Sequence, residues 1–232
     1  MLDEELKYFK LAKELNNQFH DNLVENRMHF RGSIGSFSLI SVSSEKPELG
    51  VRCKESKYIS KDLRKASLME DIDKINNKPM PFPSLSKPEK ELQAWIINSA
   101  INNNYELPFD KNISFISSEI AVKNNAGKKI VTDILGYNEM HNQLCIIELK
   151  YERQEKRLIE QVNNFENVIN ERPEFFTELL SIHGFKNKNR IPQTVAKFVV
   201  WPYGKTSPKA NLKNENIIEI TYQSNYSFTV FK

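Results

Sequence analysis

Val131–Tyr137 (VTDILGY), followed after a polar break by Leu144–Glu152 (LCIIELKYE), is the stretch that decides how this chain folds. Both runs are apolar and of strand length, and both carry charge inside them. Asp133 stands in the first, and Glu148 and Lys150 in the second. Ile130, Val131, Ile134 and Leu135 surround Asp133, while Leu144, Cys145, Ile146, Ile147 and Leu149 surround the other two. An ionised group in such a run is costly unless it is paired or bound to a metal. Two acids and a lysine converging at one point therefore indicate a site, not a surface.

The break between the runs, Tyr137–Gln143 (YNEMHNQ), is polar and turn-forming, so the two runs read as an antiparallel hairpin. Alternation along the second strand puts Glu148 and Lys150 on one face and Leu149 on the other. Asp133 then sits opposite the pair. Two carboxylates sharing ligation suit a hard divalent cation, Mg²⁺ or Mn²⁺. A lysine ammonium beside them holds an attacking water or stabilises charge on a phosphate.

Working outward, Arg153–Glu171 reads as a helix, with Leu158, Val162, Phe165 and Ile169 at helical spacing and Gln161 among them. Upstream, Ser86–Asn104 also reads as a helix, carrying Leu92, Trp95, Ile96 and Ala100. A further strand is expected at Val195–Trp201 (VAKFVVW).

An acid at a strand start, a turn, and then Glu-x-Lys on an apolar strand resemble the PD-(D/E)XK, or restriction-endonuclease-like, nuclease superfamily. The resemblance covers about residues 86 to 202, in the order helix, three strands, helix, strand. Thr132 stands where the family has its usual proline. The likeness implies a metal-dependent nuclease hydrolysing phosphodiester bonds, most readily in DNA, in repair, recombination or defence. It implies Asp133 and Glu148 as ligands of Mg²⁺, helped by the backbone carbonyl of Leu149, with Lys150 orienting the nucleophilic water. It further implies Gln161 as the glutamine on the following helix, positioning Lys150 or a phosphate. Glu89 would be the acid at the start of the preceding helix, acting through water, with Glu91 as its rival.

Each residue has a plain structural alternative. Asp133 would be a strand-edge acid facing water, Lys150 the first exposed residue at a strand end, and Gln161 a polar residue on a solvated face. Glu89 would close a capping box with Ser86. Two other classes of function compete as well. One is a catalytically silent nucleic-acid-binding module on the same fold. The other is a protein-interaction domain in which Glu148 and Lys150 merely pair across a sheet.

The expected fold class is α/β (α+β): a restriction-endonuclease-like core with a central mixed β-sheet flanked by helices. That core occupies residues 86–232, behind an N-terminal helical and β extension over residues 1–80. With 232 residues the chain can bury a sizeable core, and 27% charged residues is not the balance of a core-poor disordered chain. A net charge of +3 does not by itself announce nucleic acid, but its distribution is uneven. Leu179 to Asn214 contains no acid, while Lys186, Lys188, Arg190, Lys197, Lys205, Lys209 and Lys213 all lie there. Such a stretch suits a phosphate backbone, and a solvated loop is its alternative. In the same region Trp201 is expected to end a core strand, with Tyr203 exposed.

Two cysteines, Cys53 and Cys145, do not make a disulfide framework, and four histidines show no zinc spacing. No apolar run nears the length of a membrane span, so no membrane partner is expected and the expected compartment is the cytoplasm; the partner the resemblance implies is nucleic acid, most readily DNA. A homodimer is compatible with this reading. In the extension, Leu2–Phe19 and Ile59–Ile75 read as helices, and His29–Ser43 as a strand pair with Gly32 and Gly35 at turn or bulge points. Four prolines in Asn76–Pro88 mark the boundary.

Overall fold

A computed structural model describes residues 2–47, 49–79, 88–151, 155–185, 194–204, 212 and 216–231. The chain forms two compact units, Met1–Asn98 and Ser99–Lys232, and the division falls inside the helix Pro88–Asn102.

The first unit begins with α1 (Leu2–Gln18) and the short α2 (His20–Glu25). A three-stranded antiparallel sheet follows, made of β1 (Met28–Ser33), β2 (Ser36–Ser41) and β3 (Gly50–Arg52) in that order. Next come α3 (Glu55–Ile59), α4 (Lys61–Asn76) and the start of α5 (Pro88–Asn102). The two helices and the strand pair expected in this region are all present. Alternation puts Met28, Phe30, Phe37 and Leu39 on one sheet face, where they join Ala12 and Leu15 of α1 and Leu68, Ile72 and Ile75 of α4. Tyr58 meets Phe30 and Phe37 edge-on at 5.4 and 5.6 Å. Each such side chain, fully buried, contributes about 1.5–3 kcal/mol.

Two close fits fix α1 on this sheet. Gly32 of β1 leaves no room for a side chain, since a Cβ there would lie 2.6 Å from Phe9 Cα. One turn beyond Ala12, the buried Asn16 donates from Nδ2 to the Phe30 carbonyl at 2.8 Å and accepts the Phe30 N–H on Oδ1 at 2.8 Å. A side-chain amide thus occupies both outward backbone groups of an edge-strand residue. His29, beside it, is buried without ready access to water, which drives its pKa down to about 3.

The second unit is a seven-stranded mixed sheet. Its strands are β4 (Glu106–Leu107), β5 (Asp110–Lys123), β6 (Lys129–Asn138), β7 (Gln143–Leu149), β8 (Thr194–Pro202), β9 (Ile217–Tyr222) and β10 (Phe228–Phe231). They lie side by side in sequence order, with β7, β8 and β9 parallel and the remaining neighbours antiparallel. Two helices, α6 (Glu155–Glu171) and α7 (Pro173–Ile182), make the β7-to-β8 crossover that a parallel pair requires. Leu158, Val162, Phe165 and Ile169 of α6 are all buried, as their spacing predicts. Phe175, Phe176, Leu179 and Leu180 bury α7, whose Pro173 sits in the first turn, where a missing N–H is harmless. The chain is therefore mixed α and β with a curled central sheet flanked by helices. Among the described residues no helix is long and apolar enough to cross a membrane. Cys53 and Cys145 are both buried free thiols.

Candidate active site

The hairpin register brings the singled-out residues together. Ile134 pairs with Ile147 and Leu135 with Ile146, so one further step along the strands sets Asp133 against Glu148. These two share a sheet face with Leu135 and Ile146, and on β8 with Lys197, Val199 and Trp201. The α6 helix lies over that face, because Lys197 Nζ reaches Asn163 Oδ1 at 3.2 Å and Glu166 Oε2 at 3.1 Å.

Lys150 follows the last residue of β7 and remains in line with the sheet through its N–H, which donates to the Val200 carbonyl at 2.9 Å. Its Nζ stands 3.4 Å from Glu148 Oε2 and 3.9 Å from Asp133 Oδ2. Asp133 Oδ2 also accepts the Leu149 N–H at 2.9 Å. Leu149 therefore enters the cluster through its amide, while its carbonyl is the atom the family resemblance names.

Glu148 is the unusual member. It is 1% exposed, and its Oε1 is buried with no hydrogen-bond partner among the described residues. Burial raises its pKa to about 8; the charge of Asp133 adds to the rise, and Lys150 and the Thr132 hydroxyl oppose it. A carboxyl group held this way takes up either a proton or a cation. The donor set fits a hard divalent ion: two carboxylates on adjacent strands, one with an unfilled oxygen lone pair. Among the described residues, however, no three His, Cys, Asp or Glu side chains gather in a metal-sized group.

Gln161 lies on the sheet-facing side of α6, one turn from both Leu158 and Phe165, and its buried Oε1 has no donor among the described residues. Glu89 and Glu91 stand in the first turn of α5, which begins in the first compact unit. Ser86, the proposed cap for Glu89, lies outside the described residues.

The basic stretch needs one correction. Lys197 is 8% exposed and tied to Asn163 and Glu166, so it fastens the sheet to α6 and does not meet solvent phosphates. Lys186, Lys188, Arg190, Lys205, Lys209 and Lys213 lie outside the described residues. Trp201 is buried, donating from Nε1 to Glu219 Oε1 at 2.6 Å, and Tyr203 is exposed.

One residue beside the cluster escapes the sequence reading. Glu119 of β5 falls opposite Asp133, between the pairs Ser118–Ile134 and Ile120–Thr132, and has a φ of 49°. Holding a non-glycine residue in the left-handed region costs about 1–2 kcal/mol. Such strain concentrates at functional sites. The signal was available, since an acid inside SFISSEIAV is the same anomaly that marks Asp133.

Comparison with family models, with curated proteins and with solved structures returns no match for this chain.

Proposed function

We propose that this protein is a metal-dependent nuclease that hydrolyses phosphodiester bonds, with DNA as its substrate, on a restriction-endonuclease-like core. The observation that carries the reading is Glu148: a carboxyl group sealed in a sheet, with one oxygen lacking any donor, beside a second acid and a lysine. A purely structural acid in that position would be expected to satisfy both oxygens. The run of elements β5, β6, β7, α6 and β8 follows the order on which the resemblance rests, which supports the reading.

A divalent cation of the Mg²⁺ class would be held by Asp133 and Glu148, and when bound would supply positive charge at the scissile phosphate. The chain's own groups divide the remaining work. The Leu149 N–H fixes the Asp133 carboxylate in place. Lys150, mostly buried, brings an ammonium to the reacting position, where it orients a water and offsets charge developing on phosphate oxygens. Gln161 offers a buried acceptor on the helix above the same face.

A second reading is a nucleic-acid-binding module without catalysis. Among the described residues no third metal-ligating side chain joins the cluster, which favours it. Incubating the chain with linear, circular and single-stranded DNA, with and without Mg²⁺ or Mn²⁺, separates the two. Cation-dependent cutting supports the nuclease. DNA binding without cutting, together with no thermal stabilisation by either cation, supports the silent module.

A further inference from the structure

The hairpin arm formed by β5 and β6 extends past the candidate site and ends in a turn at Asn124–Lys128, where Gly127 has a φ of 78°. Its tip carries Lys123, Lys128 and Lys129, all exposed. Lys123 and Lys129 are direct cross-strand partners. Like charges placed opposite each other across two strands repel and destabilise the pair. Among the described residues none of the three lysines has an ion-pair partner to relieve this. One acid is close to the turn: Glu171, at the end of α6, accepts the Asn125 N–H at 2.8 Å.

The register shows which way the pair faces. Counting back along β6 from Asp133, residues 131 and 129 share its face, and their partners on β5 are Ala121 and Lys123. The buried residues of this arm, Val122, Ile130 and Thr132, occupy the opposite face. From Asp133 outward the strip therefore reads Asp133, then Val131 at 40% exposure, then the two lysines. Four residues of strand span about 13 Å at ~3.3 Å per residue. Each strand of a duplex presents a phosphate about every 3.4 Å of helix axis. The lysines thus stand a few nucleotides away from a bond held at Asp133.

We propose that the β5–β6 arm is a DNA-backbone contact, with Lys123 and Lys129 holding phosphates on one side of the bond to be cut and Lys128 adding charge at the tip. This deepens the nuclease reading and rests on it. Lys123 and Lys129 repel each other across the strands, and a phosphate seated between them offsets that repulsion.

The test uses the full chain and a short duplex oligonucleotide, without divalent cation, so that binding is read apart from cutting. Each phosphate contact contributes about 0.9 to the slope of log affinity against log salt. Lys123→Gln with Lys129→Gln is expected to flatten the slope by about 1.8, so that affinity falls about twelvefold less between roughly 50 and 200 mM salt. Lys54→Gln with Lys65→Gln removes the same charge from exposed positions in the first unit and is expected to leave the slope unchanged. Lys123→Glu gives a sharper separation. It turns a repulsive cross-strand pair into an attractive one, so melting temperature should rise while DNA affinity falls. An unchanged slope in the Gln pair, or equal flattening by the control pair, overturns the proposal and leaves the nuclease reading standing. Stronger dependence on these lysines for duplex RNA than for DNA overturns the assignment of partner. Failure of the unaltered chain to bind DNA at all overturns both readings.

Discussion

Glu148→Gln should make the cation-free protein more stable, increasingly so as pH rises. An acid whose pKa is higher folded than unfolded binds more protons in the folded state between those two values. Stability is then full below the unfolded pKa and is lost as pH rises toward the folded one. For Glu148 the window runs from the ordinary 4.5 to about 8. At ~1.4 kcal/mol per pH unit the loss is on the order of 3 kcal/mol at pH 7, and of 5 above pH 8. Glutamine keeps the shape and hydrogen-bonding reach of the side chain but cannot ionise, so this loss disappears. For a chain of this size 3 kcal/mol corresponds to roughly 6–12 °C in melting temperature. The assay is urea or thermal unfolding of both proteins in chelator from pH 4.5 to 8.5. The expected result is curves that coincide at the acid end and diverge steadily above it. Saturating Mg²⁺ should close most of the gap at pH 7, because only the parent gains from cation binding; at a hundred times the dissociation constant that gain is about 2.7 kcal/mol. A difference that does not vary with pH, or a Gln variant less stable throughout, would refute the reasoning about this carboxyl group.

Other substitutions separate the site from the scaffold. Lys150→Ala should lower cleavage by about 10²–10³-fold, as loss of a single charge-stabilising donor does elsewhere, while duplex binding stays within a few-fold; near-parental rates would remove Lys150 from the chemistry. Lys197→Ala removes the ammonium that holds Glu166 and Asn163, and should cost about 1–3 kcal/mol in unfolding with no change in the salt slope of DNA binding. Gly32→Ala forces a methyl group against the Phe9 backbone and should destabilise the first unit by about 1–3 kcal/mol, measured by hydrogen exchange in β1 and α1, with cleavage in the second unit unchanged.

The parts of the fold that were legible are those where one period dominates. The strands around Asp133 and Glu148 are apolar runs closed by a polar turn, and the stripe of α6 repeats at helical spacing without interruption. By contrast β5, the longest strand, had no range assigned. Its register slips between Phe115 and Ser117 and its backbone inverts at Glu119, so alternation breaks twice within fourteen residues. The α7 helix and strands β9 and β10 are absent from the sequence reading, although in PEFFTELLSI the polar Glu174, Thr177, Glu178 and Ser181 recur at helical spacing opposite the buried Phe175, Phe176, Leu179 and Leu180. The charges of the site were visible because they interrupt apolar runs. Lys123 and Lys129 were not, since they lie six positions apart in sequence and only the hairpin register makes them neighbours. Counting charge along the chain led instead to the 179–214 stretch, where the one described lysine, Lys197, is internally paired. Asn16 gave no warning either, as a polar residue near the end of a helix is unremarkable until its strand partner is known.

That Asn16 has a further consequence, for solubility. β1 is the edge of its sheet, and an edge strand presents a row of free N–H and C=O groups on which a strand from another molecule can dock. Antiparallel docking proceeds through residues that exchange both bonds at once. Phe30, in the centre of β1, is the residue best placed to start such an exchange, and both of its outward groups are already held by the Asn16 amide. A visiting strand would first have to pull α1 away from the sheet. The contact that seats the first helix thus also protects the first strand from aggregation, and partial unfolding that frees α1 would expose a β-edge and the apolar face beneath it in the same event.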